Sequence, residues 1–168
     1  MRERGETPGP SPAGPVPERL FRYLLDLEAE KALRLRYCVS LLCLEPDVHG
    51  PGARGIARQI ARIVGRHLRQ TDVAATLSGT TVGLLLVGAE PCTLSLILDR
   101  AGSAELPGSP RFACGARTVS VSGGGGCYPV TAPSAADLLR QATDLMRRAR
   151  DEGGSRLLLP PLPAPVPA

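Results

Sequence analysis

The sequence contains no tryptophan, two phenylalanines and three tyrosines among its 168 residues. Five aromatic rings are too few to build a stacking platform for single-stranded nucleic acid. Lysine is nearly absent as well, since 19 of the 20 basic residues are arginines. The formal net charge of +4 suits anionic ligands but does not mark a nucleic-acid binder, and none is expected. No stretch approaches the ~20 consecutive apolar residues of a membrane span. The N-terminal arginines are not followed by the apolar segment of a signal peptide. The five cysteines (38, 43, 92, 114 and 127) form no Cys-x-x-Cys pair, and neither histidine stands at ligand spacing from one. They read as reduced thiols of a cytoplasmic protein, with no metal site and no cofactor expected.

Proline and glycine are plentiful and unevenly spread. Residues 1–18 and 158–168 are proline-rich without periodicity and cannot bury enough apolar surface to offset the entropy of ordering. They are expected to be disordered tails, and the run from Leu159 to Pro163 has the composition of a polyproline II stretch that could dock on a partner. The foldable region is then 19–157.

Within it, apolar residues from Pro17 to Arg36 recur at helical spacing, followed by a continuous apolar run, Tyr37 to Leu44, of the kind found in a strand buried on both faces. Ala53 to Leu68 carries a second helical stripe. Asp72–Leu77 and Thr81–Val87 read as strands joined by a tight turn at Ser78 and Gly79. Cys92–Ala101 reads as a helix and Gly115–Ser122 as a strand running into four glycines, residues 123–126. These glycines invite a phosphate-loop reading, but no Lys-Ser/Thr follows them, so a flexible strand exit is expected. Ser134 can cap a helix reaching Glu152, and Ser155–Leu159 reads as a last short strand. The predicted order is α-β-α-β-β-α-β-α-β. It gives an α/β (α+β) fold with a ferredoxin-like βαββαβ core, an extra N-terminal helix and a C-terminal strand.

Several of these pieces resemble the GGDEF (diguanylate cyclase) domain. Arg69 and Asp72 match an Arg-x-x-Asp motif at the end of a helix. Ser78, Gly79, Thr80, Thr81 and Val82 fall where the Gly-Gly-Asp/Glu-Glu-Phe turn of that family stands, at its spacing. The stretch Val119–Pro129 is similar to the family's Ser-Ile-Gly strand and the turn after it. Ala135–Asp144 resembles the helix after that, and Arg150 with Gly153 stands near its Ala-Lys…Gly ending.

The resemblance implies a reaction between two GTP molecules that needs divalent cations held by carboxylates. Thr80 and Thr81 replace both acids of the turn, and Ser78 replaces its first glycine. At the end of the first strand the candidates are Cys43 and Glu45, or Glu45 and Asp47, depending on register. Those acids also suit a solvated strand end. The loop Glu45–Gly55 is shorter than in the family and lacks its guanine-reading segment, so residual GTP binding finds no support. The expectation is a degenerate GGDEF-like domain that is not an enzyme, with no catalytic residues and cyclase activity lost.

The Arg-x-x-Asp motif implies a second role. In the family it forms a site for the product, cyclic di-GMP, often joined by another arginine about twenty residues past the turn, here Arg100. An arginine fork donates two parallel hydrogen bonds to guanine or phosphate, and a carboxylate accepts from the guanine N–H edge. The competing reading has Arg69 answering the helix dipole and Asp72 pairing with it at the surface. Two functions follow: a cyclic di-GMP receptor through Arg69, Asp72 and Arg100, or a ligand-free interaction module in which helix 18–36 pairs with a protein partner or a second copy.

Overall fold

Strand β1 (Val39–Pro46) sets the layering of the molecule. Leu42 and Leu44 point to one side of the sheet, and Val39, Leu41 and Cys43 to the other, all fully buried. A strand covered on both faces has no polar side to show, which explains its unbroken apolar run. The structure, a computed structural model, describes residues 14–102 and 109–164. The proline-rich stretch up to residue 13 and residues 165–168 lie outside the described residues.

Around β1 the chain runs α1 (Glu18–Leu35), then α2 (Ala53–Gly65), β2 (Val73–Leu77), β3 (Thr81–Val87), α3 (Cys92–Ala101), β4 (Arg111–Cys114), β5 (Arg117–Tyr128), α4 (Ala135–Asp151) and β6 (Arg156–Leu158). The sheet order is β2-β3-β1-β5-β4, with antiparallel neighbours, and β6 lies parallel to β5. This is the predicted ferredoxin-like core with its added helix and final strand. Helices α2 and α3 cover the Leu42 face, while α1 and α4 cover the Leu41 face. Helix α1 therefore packs onto its own sheet through Phe21, Leu25, Ala29 and Ala32, leaving Leu20, Tyr23, Leu33 and Leu35 exposed. Among the described residues no helix is long and apolar enough to cross a membrane.

Two sequence expectations need correction. Strand β4 was not anticipated: four residues pair with the start of β5 around a turn at Gly115, a signal too short to stand out from loop composition. The four glycines are not a flexible exit either. Gly123–Gly126 lie inside β5, are fully enclosed, and pair with Leu44, Cys43, Leu42 and Leu41 of β1. Missing side chains are what the packing demands. A Cβ added at Gly124 would fall on the carbonyl oxygen of Ala142 and the amide nitrogen of Met146, both backbone atoms of α4.

Helix α4 thus rests directly on the β5 backbone. Its start is fixed by Ser134, whose hydroxyl oxygen accepts the Asp137 amide at 3.1 Å. Overpacking of this contact should be costly. Gly124→Ala is expected to destabilise the fold by ~3 kcal/mol, the upper part of the range for inserting one methyl group into a rigid core. The shift in urea denaturation midpoint, compared with that of Gly52→Ala at an open position, measures it.

Candidate functional site

The turn between β2 and β3 is built under mild strain. Leu77 pairs with Thr81, leaving Ser78, Gly79 and Thr80 as the loop. Ser78 and Gly79 both have left-handed backbones, at φ 40° and 89°. A serine in that region costs ~1 kcal/mol relative to its ordinary conformations. A contact from α1 offsets the strain. The Glu18 carboxylate accepts the Ser78 amide at 3.1 Å and is itself paired with Arg22 at 2.9 Å. The Ser78 amide, then Arg22, hold the Glu18 carboxyl below its ordinary value of 4.5.

On the other side of the turn stands Glu45, which resolves the register question. Its Oε1 accepts the Thr80 hydroxyl at 3.0 Å and pairs with Arg150 of α4 at 2.8 Å. Cys43 points into the core beside Thr143, and burial pushes its thiol up to about 12. Asp47 faces elsewhere: it accepts Ser120 at 2.7 Å, Ser122 at 2.5 Å and the Ser155 amide at 2.8 Å, bracketing β1 to β5 and to the chain after α4. The reading of Glu45 and Asp47 as a solvated strand end is therefore corrected, because both carboxylates are engaged.

A divalent cation, which the GGDEF resemblance implies, does not fit these donors. Thr80 and Thr81 are neutral, Glu45 is already compensated by Arg150, and Asp47 is taken up by three donors. No group of three His, Cys, Asp or Glu side chains suited to an ion occurs among the described residues. Arginines gather instead. Arg22, Arg147 and Arg150 line a cleft of about 380 Å³ with Glu45, Thr80 and Thr81. The Arg54 guanidinium lies over Gly79, with Nε 3.4 Å from where a Cβ would stand. Sequence reasoning missed this gathering, since the four come from three helices and share no local motif. Only Arg150 carried a signal, as the counterpart of a lysine in the resembled ending.

The Arg-x-x-Asp corner lies at the opposite end of the β2–β3 hairpin. Asp72 accepts the Arg69 amide at 3.1 Å and the Val87 amide at 3.0 Å, tying the turn after α2 to the end of β3. Arg69 is exposed and forms no ion pair with Asp72. Arg100 is exposed in the last turn of α3, and no hydrogen bond or ion pair joins it to the other two. The structure therefore joins Arg69 and Asp72 through backbone, with no hydrogen bond from Arg100 to either.

No protein-family model matches the sequence, and no curated protein is significantly similar to it. Solved structures are similar in fold. The GGDEF domain of YfiN from Pseudomonas aeruginosa superposes with a TM-score of 0.73 at 21% identity, covering 91% of this chain and all of that one. The GGDEF domain of DgcB from Caulobacter crescentus, in complex with c-di-GMP, gives 0.68 at 16% identity over 95% and 96% of the two chains. The active GGEEF domain of a diguanylate cyclase from Vibrio cholerae gives 0.69 at 15% identity over 84% and 94%. The chain has the GGDEF-domain fold. The expectation of a non-enzyme is corrected accordingly, because the fold is shared with the active GGEEF domain from Vibrio cholerae.

Two outcomes follow from the site's environment. Burial holds the thiols of Cys43 and Cys127 up, at about 12 and about 11, whereas Cys92 is exposed. A thiolate-seeking reagent should label Cys92 in the native protein and reach Cys43 and Cys127 only after unfolding, as read by peptide mass spectrometry. The lowered Glu18 carboxyl adds stability that is complete above 4.5 and is lost as pH falls through its folded value. Melting temperatures measured from pH ~6 down to ~3 should fall less steeply in Glu18→Gln than in the parent chain.

Proposed function

We propose that the chain is a signalling domain of the cyclic di-GMP system and takes up cyclic di-GMP at the corner formed by Arg69 and Asp72, with Arg100 as a third donor. One observation carries the reading. The Asp72 carboxylate is held in place by two backbone amides, one of them that of Arg69, whose exposed side chain has no ion-pair partner among the described residues. Each carboxylate oxygen keeps a second lone pair for a guanine N–H, and Arg69 offers its planar fork to guanine O6 and N7 or to phosphate. Support also comes from the c-di-GMP complex of DgcB, whose fold this chain shares. Helix α1 offers a second reading, because Leu33 and Leu35 are 69% and 63% exposed and give it an apolar flank for a second copy or a protein partner.

Titration calorimetry with cyclic di-GMP should give saturable heat, weakened at least about tenfold in Arg69→Ala, the loss expected for charge-assisted hydrogen bonds. Arg69→Ala leaves the Asp72 clamp intact, whereas Asp72→Ala would also loosen the hairpin. Absence of heat at high protein concentration would sink the proposal.

A further inference from the structure

Helix α2 handles charge differently from α1 and α4. In those two helices arginines find acids close by in sequence: Arg22 meets Glu18, Arg140 meets Asp137, and Arg148 meets Glu152. The stretch from Val48 to Thr71, which contains α2, has no acid. Arg54, Arg58, Arg62 and Arg66 stand four residues apart, all exposed, and none forms an ion pair among the described residues. This arrangement costs stability. Like charges four residues apart on a helix repel, and Arg54 occupies a first turn without an acid, where the helix dipole favours one. Taking these four from the 20 basic residues leaves 16, equal to the 16 acids, so the row accounts for the whole net charge of +4. Gly55 lies on the same side of the helix, exposed, with no atom within 4 Å of where a Cβ would stand. Neither packing nor backbone geometry calls for a glycine there, and glycine weakens a helix. It leaves room for another backbone to come close.

We propose that the row Arg54, Arg58, Arg62 and Arg66 is a docking surface for an acidic helix of a partner protein, one with carboxylates at four-residue spacing. Four residues span about 6 Å on either helix, so guanidinium forks and carboxylates laid side by side stay in step over the about 18 Å from Arg54 to Arg66. Other polyanions fit less well. Helix α2 shows no exposed aromatic or large aliphatic side chain to stack on bases or enter a bilayer. A nucleic-acid duplex or a membrane surface also extends well beyond the row, onto ground where the chain's charges balance. Arg69 and Asp72 take no part in this contact.

The test is fluorescence anisotropy of a labelled helical peptide, carrying four glutamates each four residues from the next, titrated with the whole chain. Binding is expected at low salt and should be lost by ~0.5 M NaCl, where exposed charges are screened. A peptide of the same composition with its glutamates gathered at one end should bind more weakly. Arg62→Glu should weaken binding at least about tenfold, because a like charge inside a contact is costly. The same change gives Arg58 and Arg66 an acid four residues away, so the melting temperature should hold or rise and misfolding cannot explain the loss. Arg140→Glu alters the net charge equally, on α4, and should leave binding as it was. The proposal is overturned if the spaced peptide does not bind, if the gathered peptide binds as tightly, or if Arg62→Glu binds like the parent. It is overturned as well if Arg140→Glu weakens binding as much, or if a DNA duplex or phosphatidylserine vesicles bind more tightly than the peptide.

Discussion

The contact between the bare backbone of β5 and the backbone of α4 determines much of what surrounds it. With no side chain at Gly124, the helix settles onto the strand itself, and its carbonyl and amide groups lie where a Cβ would stand. That close approach fixes the height of α4 above the sheet. It thereby sets how far a side chain must reach from the helix to the end of β1. Arg150, near the C-terminal end of α4, closes that gap and meets Glu45 at 2.8 Å. Four consecutive glycines weaken a strand, since glycine loses most entropy on ordering. Here the burial of Leu41, Leu42, Leu44 and Leu138 around it supplies the stabilisation that the strand lacks.

Charge at the turn is distributed with equal economy. Glu18 steadies the strained loop from one side while Glu45 receives Thr80 from the other, and each acid has its own arginine. The donor set is one of guanidinium and hydroxyl groups, which favours anions, where a cyclase-like reading would look for carboxylates and a cation. The shared fold does not decide between such chemistries, because function resides in the groups placed on a fold.

Much of this was legible in the sequence, for particular reasons. The helical stripe of α1, the apolar run of β1, the Ser134 cap and the turn at Ser78 and Gly79 are local signals, and each stands where it was expected. What escaped is long-range. Glycine's low strand propensity hid the second half of β5, whose pairing is imposed by β1 and by the helix above it. Strand β4 has only four residues and gains its identity from its partner. At the site, Arg69 and Asp72 were visible as a motif, but the use of Asp72 as a clamp depends on the amide of Val87, fifteen residues away. The arginine-lined cleft draws on three helices, and no window of sequence contains it.

Asp47 shows what such distances can conceal. On paper it is the second member of an acid pair at a strand end, the place where a metal ligand would be sought. In the folded chain it is joinery. As an acceptor holding two hydroxyls and one amide from separate segments, it works like a dowel between the sheet and the end of α4, with Gly154 seated closely against it. Asparagine could keep one oxygen for Ser120 and Ser155, but it would turn an N–H toward Ser122, whose hydroxyl would have to reverse and accept. The acid therefore serves a need of carpentry, which would pass for a sign of catalysis to anyone reading the letters alone.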